Sequence, residues 1–223
     1  MVKDSRFDDI RPYYEEEIPD AMHRIADSDV FPLLASFVYP SDTIENVRNR
    51  IRSFKTVREF QHDTMRRVNE QIIARSITDF SVSGLERLSP DKHYLFISNH
   101  RDIMLDASLL QYYFVVNGFD TTEITFGANL MMHPVVIDVG KCNKMFKVAR
   151  PGGDIKEFYR NSMHLSERAS EWVRGRCFSH MGSRNTRLCL QQWTLPGKCV
   201  LPVRRPWSTQ FSVSFRRKGK MRF

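Results

Sequence analysis

Every acidic residue in this chain lies before Trp172. The 52 residues from Trp172 to Phe223 carry 12 Lys and Arg with no Asp or Glu, whereas residues 1–171 hold 22 basic and 26 acidic groups, a net charge of −4. The overall +8 is therefore an average over two stretches of different character. All three tryptophans and three of the four cysteines (Cys177, Cys189, Cys199) also fall in the basic stretch. Hydrophobic periodicity fails beyond Ser170, so an ordered architecture is legible only in the first 171 residues.

Composition bounds the rest. With 223 residues, 41% hydrophobic and 27% charged, the chain has the makeup of an ordinary globular domain, which excludes fibrous and disordered classes. Residues 1–17 are charged every few positions and lack the apolar stretch of a secretory signal. No run reaches the roughly 18 apolar residues a membrane-spanning helix needs, so contact with a membrane is expected to be peripheral. The tail cysteines are spaced by 12 and 10 residues, which suits neither a C-x-x-C motif nor a zinc site. Free thiols in a reducing, cytoplasmic compartment are expected.

The pattern predicts short helices over Asp20–Ala26 and Val30–Val38, closed by Pro40. A longer amphipathic segment follows, with Ile44, Val47, Ile51, Phe54, Val57, Met65, Val68 and Ile72 recurring at three- and four-residue steps. It reads as one helix or two in line, started by a capping box at Asp42 and Glu45. The period then shortens: Phe80–Ser83 and Tyr94–Ser98 read as strands, separated by Gly84 and a turn at Ser89. A helix from Leu105 to a stop at Gly118, strands at Glu123–Gly127 and Met145–Val148, and a helix capped by Asp154 and Glu157 complete the pattern. The expected fold class is α/β, a mainly parallel sheet flanked by helices and preceded by a helical amino-terminal region. The divisions expected are 1–75 (helical), 76–171 (α/β core) and 172–223 (basic tail).

The sharpest candidate site is Ile97-Ser-Asn-His100-Arg-Asp-Ile-Met-Leu-Asp106, which places a His just past a buried strand and an Asp at the opening of a helix. Parallel sheets put ligands at the carboxyl ends of their strands. An imidazole there can take a proton from an alcohol when a carboxylate fixes its tautomer. On position alone, the same two residues also suit a packed strand-end His and a first-turn acid favoured by the helix dipole. The other six histidines form no i, i+4 pair and no metal-ligand spacing, and a G-x-S-x-G nucleophile is absent, so no metal is expected.

The run Phe80-Ser-Val-Ser-Gly-Leu-Glu-Arg-Leu followed by Tyr94-Leu-Phe-Ile-Ser-Asn-His-Arg resembles the first block of the glycerolipid (lysophospholipid) acyltransferase family. That resemblance implies an acyltransferase-like fold and transfer of a fatty acyl group from acyl-CoA or acyl-carrier protein to the hydroxyl of a lysophosphatidate-like acceptor. It implies no further cofactor. His100 would be the base and Asp106 its orienting partner, with Asn99 and Arg101 beside the acceptor. Five residues separate His100 from Asp106, one more than the family's pattern, which leaves Asp102 as a second candidate for the orienting acid.

Asn143-Lys-Met-Phe146-Lys-Val-Ala-Arg150 resembles the family's second block, so Arg150 would hold the acceptor phosphate through a planar fork, with Lys144 and Lys147 adding charge. A solvated basic strand edge is the plain alternative for these three. The third block, a Phe-Pro-Glu-Gly-Thr-Arg type of run, is absent, and Gly182-Ser-Arg-Asn-Thr-Arg only shadows it. Cys199-Val-Leu-Pro-Val203 has the form of the fourth. The family likeness further implies association with the inner face of a membrane and no nucleic-acid partner. The loss of acids, of periodicity and of the Glu-Gly block at one boundary reads in two ways. Residues from about 171 onward are an out-of-frame or disordered continuation, or they are a basic tail that docks on anionic lipid. The competing function, from another class, is a non-enzymatic binder of nucleic acid or anionic lipid through that tail.

Overall fold

The computed structural model describes residues 5–89, 94–99, 102, 105–148, 155–173, 187–192 and 212–217. Five helices lead: α1 (Ile18–Asp27), α2 (Phe31–Val38), α3 (Ile44–Ser53), α4 (Val57–Phe60) and α5 (Arg66–Ser76). Then come β1 (Ile77–Ser83), β2 (Leu95–Asn99), α6 (Leu105–Val116), β3 (Thr122–Gly127), α7 (Pro134–Cys142), β4 (Met145–Val148) and α8 (Ile155–Val173). The last elements are β5 (Arg187–Gln192) and β6 (Ser212–Arg217). Among the described residues no helix is long and apolar enough to cross a membrane.

The leading helices bury one face each against a common centre. Ile18, Met22, Phe31, Val47, Val57 and Phe60 are almost wholly buried there, and Cys142 of α7 joins them from the α/β part. Truncating a buried Phe such as Phe60 to Ala costs about 3–5 kcal/mol in cores of this kind. The amphipathic segment takes the divided one of its two readings, with the break at Phe54. Phe54 is extended (φ −68°, ψ 132°), and Thr56 restarts the chain with a capping box, accepting from the Glu59 N–H while the Glu59 carboxylate accepts from the Thr56 N–H. The cap of α3 is also one residue later than the sequence suggests: the Thr43 hydroxyl accepts from the Asn46 N–H, while Asp42 donates its N–H to the Tyr39 carbonyl in the preceding turn. Between α4 and α5 the chain makes one π-helical turn, Gln61–Met65, which brings both Gln61 and Thr64 inward.

The fold is mixed helix and sheet. β2, β5, β3 and β4 lie side by side in that order, and every ladder between them is parallel. β1 stands apart in an antiparallel ladder with β6. The helix α6 ends where expected, because Gly118 takes φ +72° and lets the Phe119 N–H reach back to the Phe114 carbonyl. α7 is a helix that the period does not reveal. Its β-branched run Val135-Val-Ile137 reads more like a strand, but Pro134 at its first position and the His133 Nδ1, which accepts the Val135 N–H at 3.2 Å, start a helix instead. The proposed cap at Asp154 lies outside the described residues.

Candidate functional site

β2 is an edge strand whose last residue is Asn99, and α6 opens six residues later with Leu105. Leu105 and Leu109 are buried against Ile77, flanked by Ile72, Ile73 and Phe80, so apolar packing against α5 and β1 fixes the start of α6. Asp106 is the second helical residue. Its Oδ2 accepts the Asp102 N–H at 2.9 Å, and the Asp102 Oδ1 in return accepts the Leu105 N–H at 3.0 Å. The pair works as a reciprocal cap shifted by one position, placing two carboxylates where the unpaired N–H groups and the helix dipole favour negative charge. Each acid thus has one oxygen engaged in the turn. A carboxylate accepts up to about four bonds.

His100, Arg101 and Arg150 lie outside the described residues, as does the side chain of Asn99. In the chain, His100 follows β2 directly and Arg150 comes two residues after β4, both strands pointing the same way in the sheet. Lys147 is the third residue of β4 and half-buried; its N–H donates to the Ile10 carbonyl at 2.8 Å, so the amino-terminal segment covers that edge of the sheet. Lys144 sits at the opposite end of the strand. It occupies the left-handed region (φ 59°), is only 3% exposed, and its Nζ lies 3.4 Å from Asp120 Oδ1. The structure therefore brings Lys147 towards the carboxyl edge and Lys144 to the amino edge, where it is held in an ion pair.

Two polar features are invisible to a reading by motif. Gln61, Gln111, Thr121 and Asn143 are all buried and bonded to one another. The Gln61 Nε2 donates to the Asn143 Oδ1 (3.0 Å), the Asn143 Nδ2 to the Gln111 Oε1 (3.0 Å) and the Thr121 hydroxyl to the Gln61 Oε1 (2.6 Å). This network ties the π turn to α6 and to the starts of β3 and β4. Its one trace in the sequence is Gln111, which interrupts the apolar run of α6. The second is Glu123 on β3, buried against Arg168 of α8 at 3.1 Å; burial pushes its carboxyl above the ordinary range despite the guanidinium beside it. Phe7 and Phe146 flank that guanidinium. Both features hold elements together on the amino side of β3 and β4, away from the carboxyl strand ends.

Burial pushes the Cys142 thiol up strongly, so it is an inert core residue. Among the described residues no group of three or more His, Cys, Asp or Glu is placed to hold a metal ion. Comparisons with known families, curated proteins and solved structures give no match. The functional reading therefore rests on this chain's own residues.

Proposed function

We propose that the chain is an O-acyltransferase with an acyltransferase-like α/β fold, moving a fatty acyl group from acyl-CoA or acyl-carrier protein to the hydroxyl of a lysophosphatidate-like glycerolipid. One observation carries the reading. The Asn99-His100 and Asp106 motif spans the junction between a strand of a parallel sheet and the first turn of a helix, and Asp106 has its carboxylate held by a backbone bond. Carboxyl edges of parallel strands are where such sheets bind substrate.

In this mechanism His100 removes the acceptor hydroxyl proton as the oxygen attacks the thioester carbonyl carbon. The tetrahedral intermediate then expels the thiolate, which takes the proton back from the imidazolium. Asp106 fixes the tautomer of His100 and stabilises its charged form. The thioester is already activated, so the chemistry calls for no organic cofactor. Arg150 holds the acceptor phosphate, with Lys147 of β4 adding positive charge and Asn99 and Arg101 flanking the base. β2 and β4 are separated by two strands, which sets their ends about 14 Å apart at ordinary strand spacing. An acceptor with its hydroxyl near one end and its phosphate near the other matches the combined reach of a His and an Arg side chain. Lys144 has no part in this mechanism: it stands at the amino end of β4 with its ammonium paired to Asp120. The site would work from the cytoplasmic face of a membrane.

Release of free thiol from acyl-CoA, dependent on lysophosphatidate, tests the proposal. His100→Ala is expected to lower transfer by roughly 100- to 10,000-fold with the fold retained. Arg150→Ala should raise the KM for the phosphate-bearing acceptor more than for a monoacylglycerol. Unchanged turnover in His100→Ala would refute the assignment. The net charge of the last 52 residues favours the second reading, a non-enzymatic binder; a steep fall of nucleic-acid affinity with salt, together with no thiol release, would support it instead.

A further inference from the structure

Two backbone bonds fasten the amino-terminal segment along the edge of the sheet. The Lys147 N–H donates to the Ile10 carbonyl at 2.8 Å, and the Tyr13 N–H donates to the Lys141 carbonyl at 3.4 Å. Arg11 lies between these ties, so cationic residues from the segment, from the end of α7 and from β4 are gathered in one place.

Lys141, the last residue but one of α7, is half-buried, and its Nζ lies 4.9 Å from the centre of the Tyr13 ring. Two acids act on it, and both are engaged elsewhere. Glu17 is gripped by the Arg11 guanidinium through two bonds (2.6 and 3.2 Å) and accepts the Tyr14 N–H. Asp138 accepts the Tyr13 hydroxyl and two bonds from the Arg24 guanidinium. Among the described residues no carboxylate forms an ion pair with Lys141. Burial first, then the charge of Arg11 and after it that of Lys147, hold the Lys141 ammonium below the ordinary lysine range, while Glu17 and Asp138 pull the other way. Other lysines stand differently: Lys144 is buried and paired with Asp120, and Lys55 and Lys156 are exposed.

We infer that Lys141 is a site of covalent N-acylation by acyl thioesters, with Arg11 and Lys147 attracting the phosphate-bearing thioester of coenzyme A to it. A lysine reacts as the free amine, and one with an ordinary pKa is free to only about 0.4% at pH 8. Like charges and burial at Lys141 raise that fraction, and the same cations raise the local concentration of an anionic donor. The Nζ lone pair attacks the thioester carbonyl carbon, the tetrahedral intermediate expels the thiolate with the electron pair of the C–S bond, and the proton lost by nitrogen leaves on the thiol. The products are an amide and free coenzyme A. Acylation also removes one of three neighbouring like charges, which favours the product. This chemistry belongs to the lysine and is independent of the acyltransferase reading.

The test is incubation of the full chain with acetyl-CoA at pH 8, without lipid, with the early rate of acetylation at each lysine read by peptide mass spectrometry. Lys141 is expected to react at least about tenfold faster than Lys55 and Lys156, and Lys144 to stay unmodified. Arg11→Gln removes one cation and frees Glu17 to pair with Lys141, and Lys147→Gln removes the other. Each should slow labelling at Lys141 several-fold while Lys55 and Lys156 keep their rates, with circular dichroism melts to show that the variants remain folded. Labelling of Lys141 no faster than that of Lys55 would overturn the inference, and so would a rate that neither substitution changes. In His100→Ala the label at Lys141 should persist; its disappearance there would overturn the inference by tracing the label to the transfer site. Persistence of the label together with full lysophosphatidate-dependent thiol release in His100→Ala would uphold Lys141 while the enzymatic reading fails.

Discussion

Asp102 and Asp106 sit four residues apart, and the bonds between them give each a different chemistry to lose. Asp102 serves the helix through its Oδ1, a task that an amide oxygen performs nearly as well. Asp106, if it faces His100, has to stabilise an imidazolium, which an amide cannot do. Asp102→Asn should therefore keep transfer within a few-fold of the unsubstituted chain, and Asp102→Ala should cost about 1 kcal/mol of stability as a lost cap. Asp106→Asn should reduce kcat by roughly 10,000-fold at an unchanged melting temperature, as the corresponding Asp to Asn change does in a Ser-His-Asp triad. The opposite order, with Asp102→Asn the more damaging in the thiol-release assay, would make Asp102 the orienting acid. The sequence alone leaves both acids open, because nothing in the spacing from His100 says which carboxylate is used by the helix.

At the scale of elements, the sequence pattern finds α1, α2, α6, β3 and β4; α1 and α2 bury one face and expose the other, whereas β3 is buried along almost its whole length. The pattern misses α7, where consecutive β-branched residues mask the helical repeat, and the break at Phe54, where apolar spacing continues across a change of direction. The π turn leaves no trace in the pattern, since Gln61 and Thr64 face inward through side-chain bonds rather than hydrophobicity. The restart at α4 has a pH signature. Glu59 is held below the ordinary carboxylate range by the Lys55 and Thr56 N–H groups, so its contribution is present above its unfolded pKa and is lost as pH falls through its folded pKa. Glu15 accepts the Val57 N–H at the same helix start, but burial dominates and raises its pKa. Its contribution therefore declines as pH rises from its unfolded to its folded pKa. Melting temperatures measured across the acidic range should show the gap between the unsubstituted chain and Glu59→Gln closing as pH falls. Relative to Glu15→Gln, the unsubstituted chain should gain stability over the same descent. Parallel curves for both variants would contradict these assignments.

For the whole molecule, the open question in the sequence is the stretch after Glu171, and β5 makes it a matter of architecture. β5 runs between β2 and β3, pairing Leu95–Asn99 on one side and Thr122–Ile124 on the other, so among the described residues the strand ahead of His100 reaches the rest of the parallel sheet through residues 187–192. Sheet edges left without a neighbour expose rows of unpaired N–H and C=O groups, and β2 would be left with two such edges if β5 were removed. If residues 172–223 are native to the fold, deleting them should abolish slow hydrogen exchange in Leu95–Asn99, lower the melting temperature and eliminate any thiol release. If instead they are an out-of-frame continuation, the deletion should leave both exchange and melting unchanged. Reading the coding DNA in its other two frames should then reveal a Glu-Gly block and a proline-bearing strand beyond residue 171. The leading helices and α6 offer an internal control, because among the described residues the clusters they pack in run no further along the chain than Cys142. Their exchange should survive the deletion in either case. Loss of protection there too would mean that the tail stabilises the chain globally, and the division into a helical region, an α/β core and a separable tail would have to be abandoned.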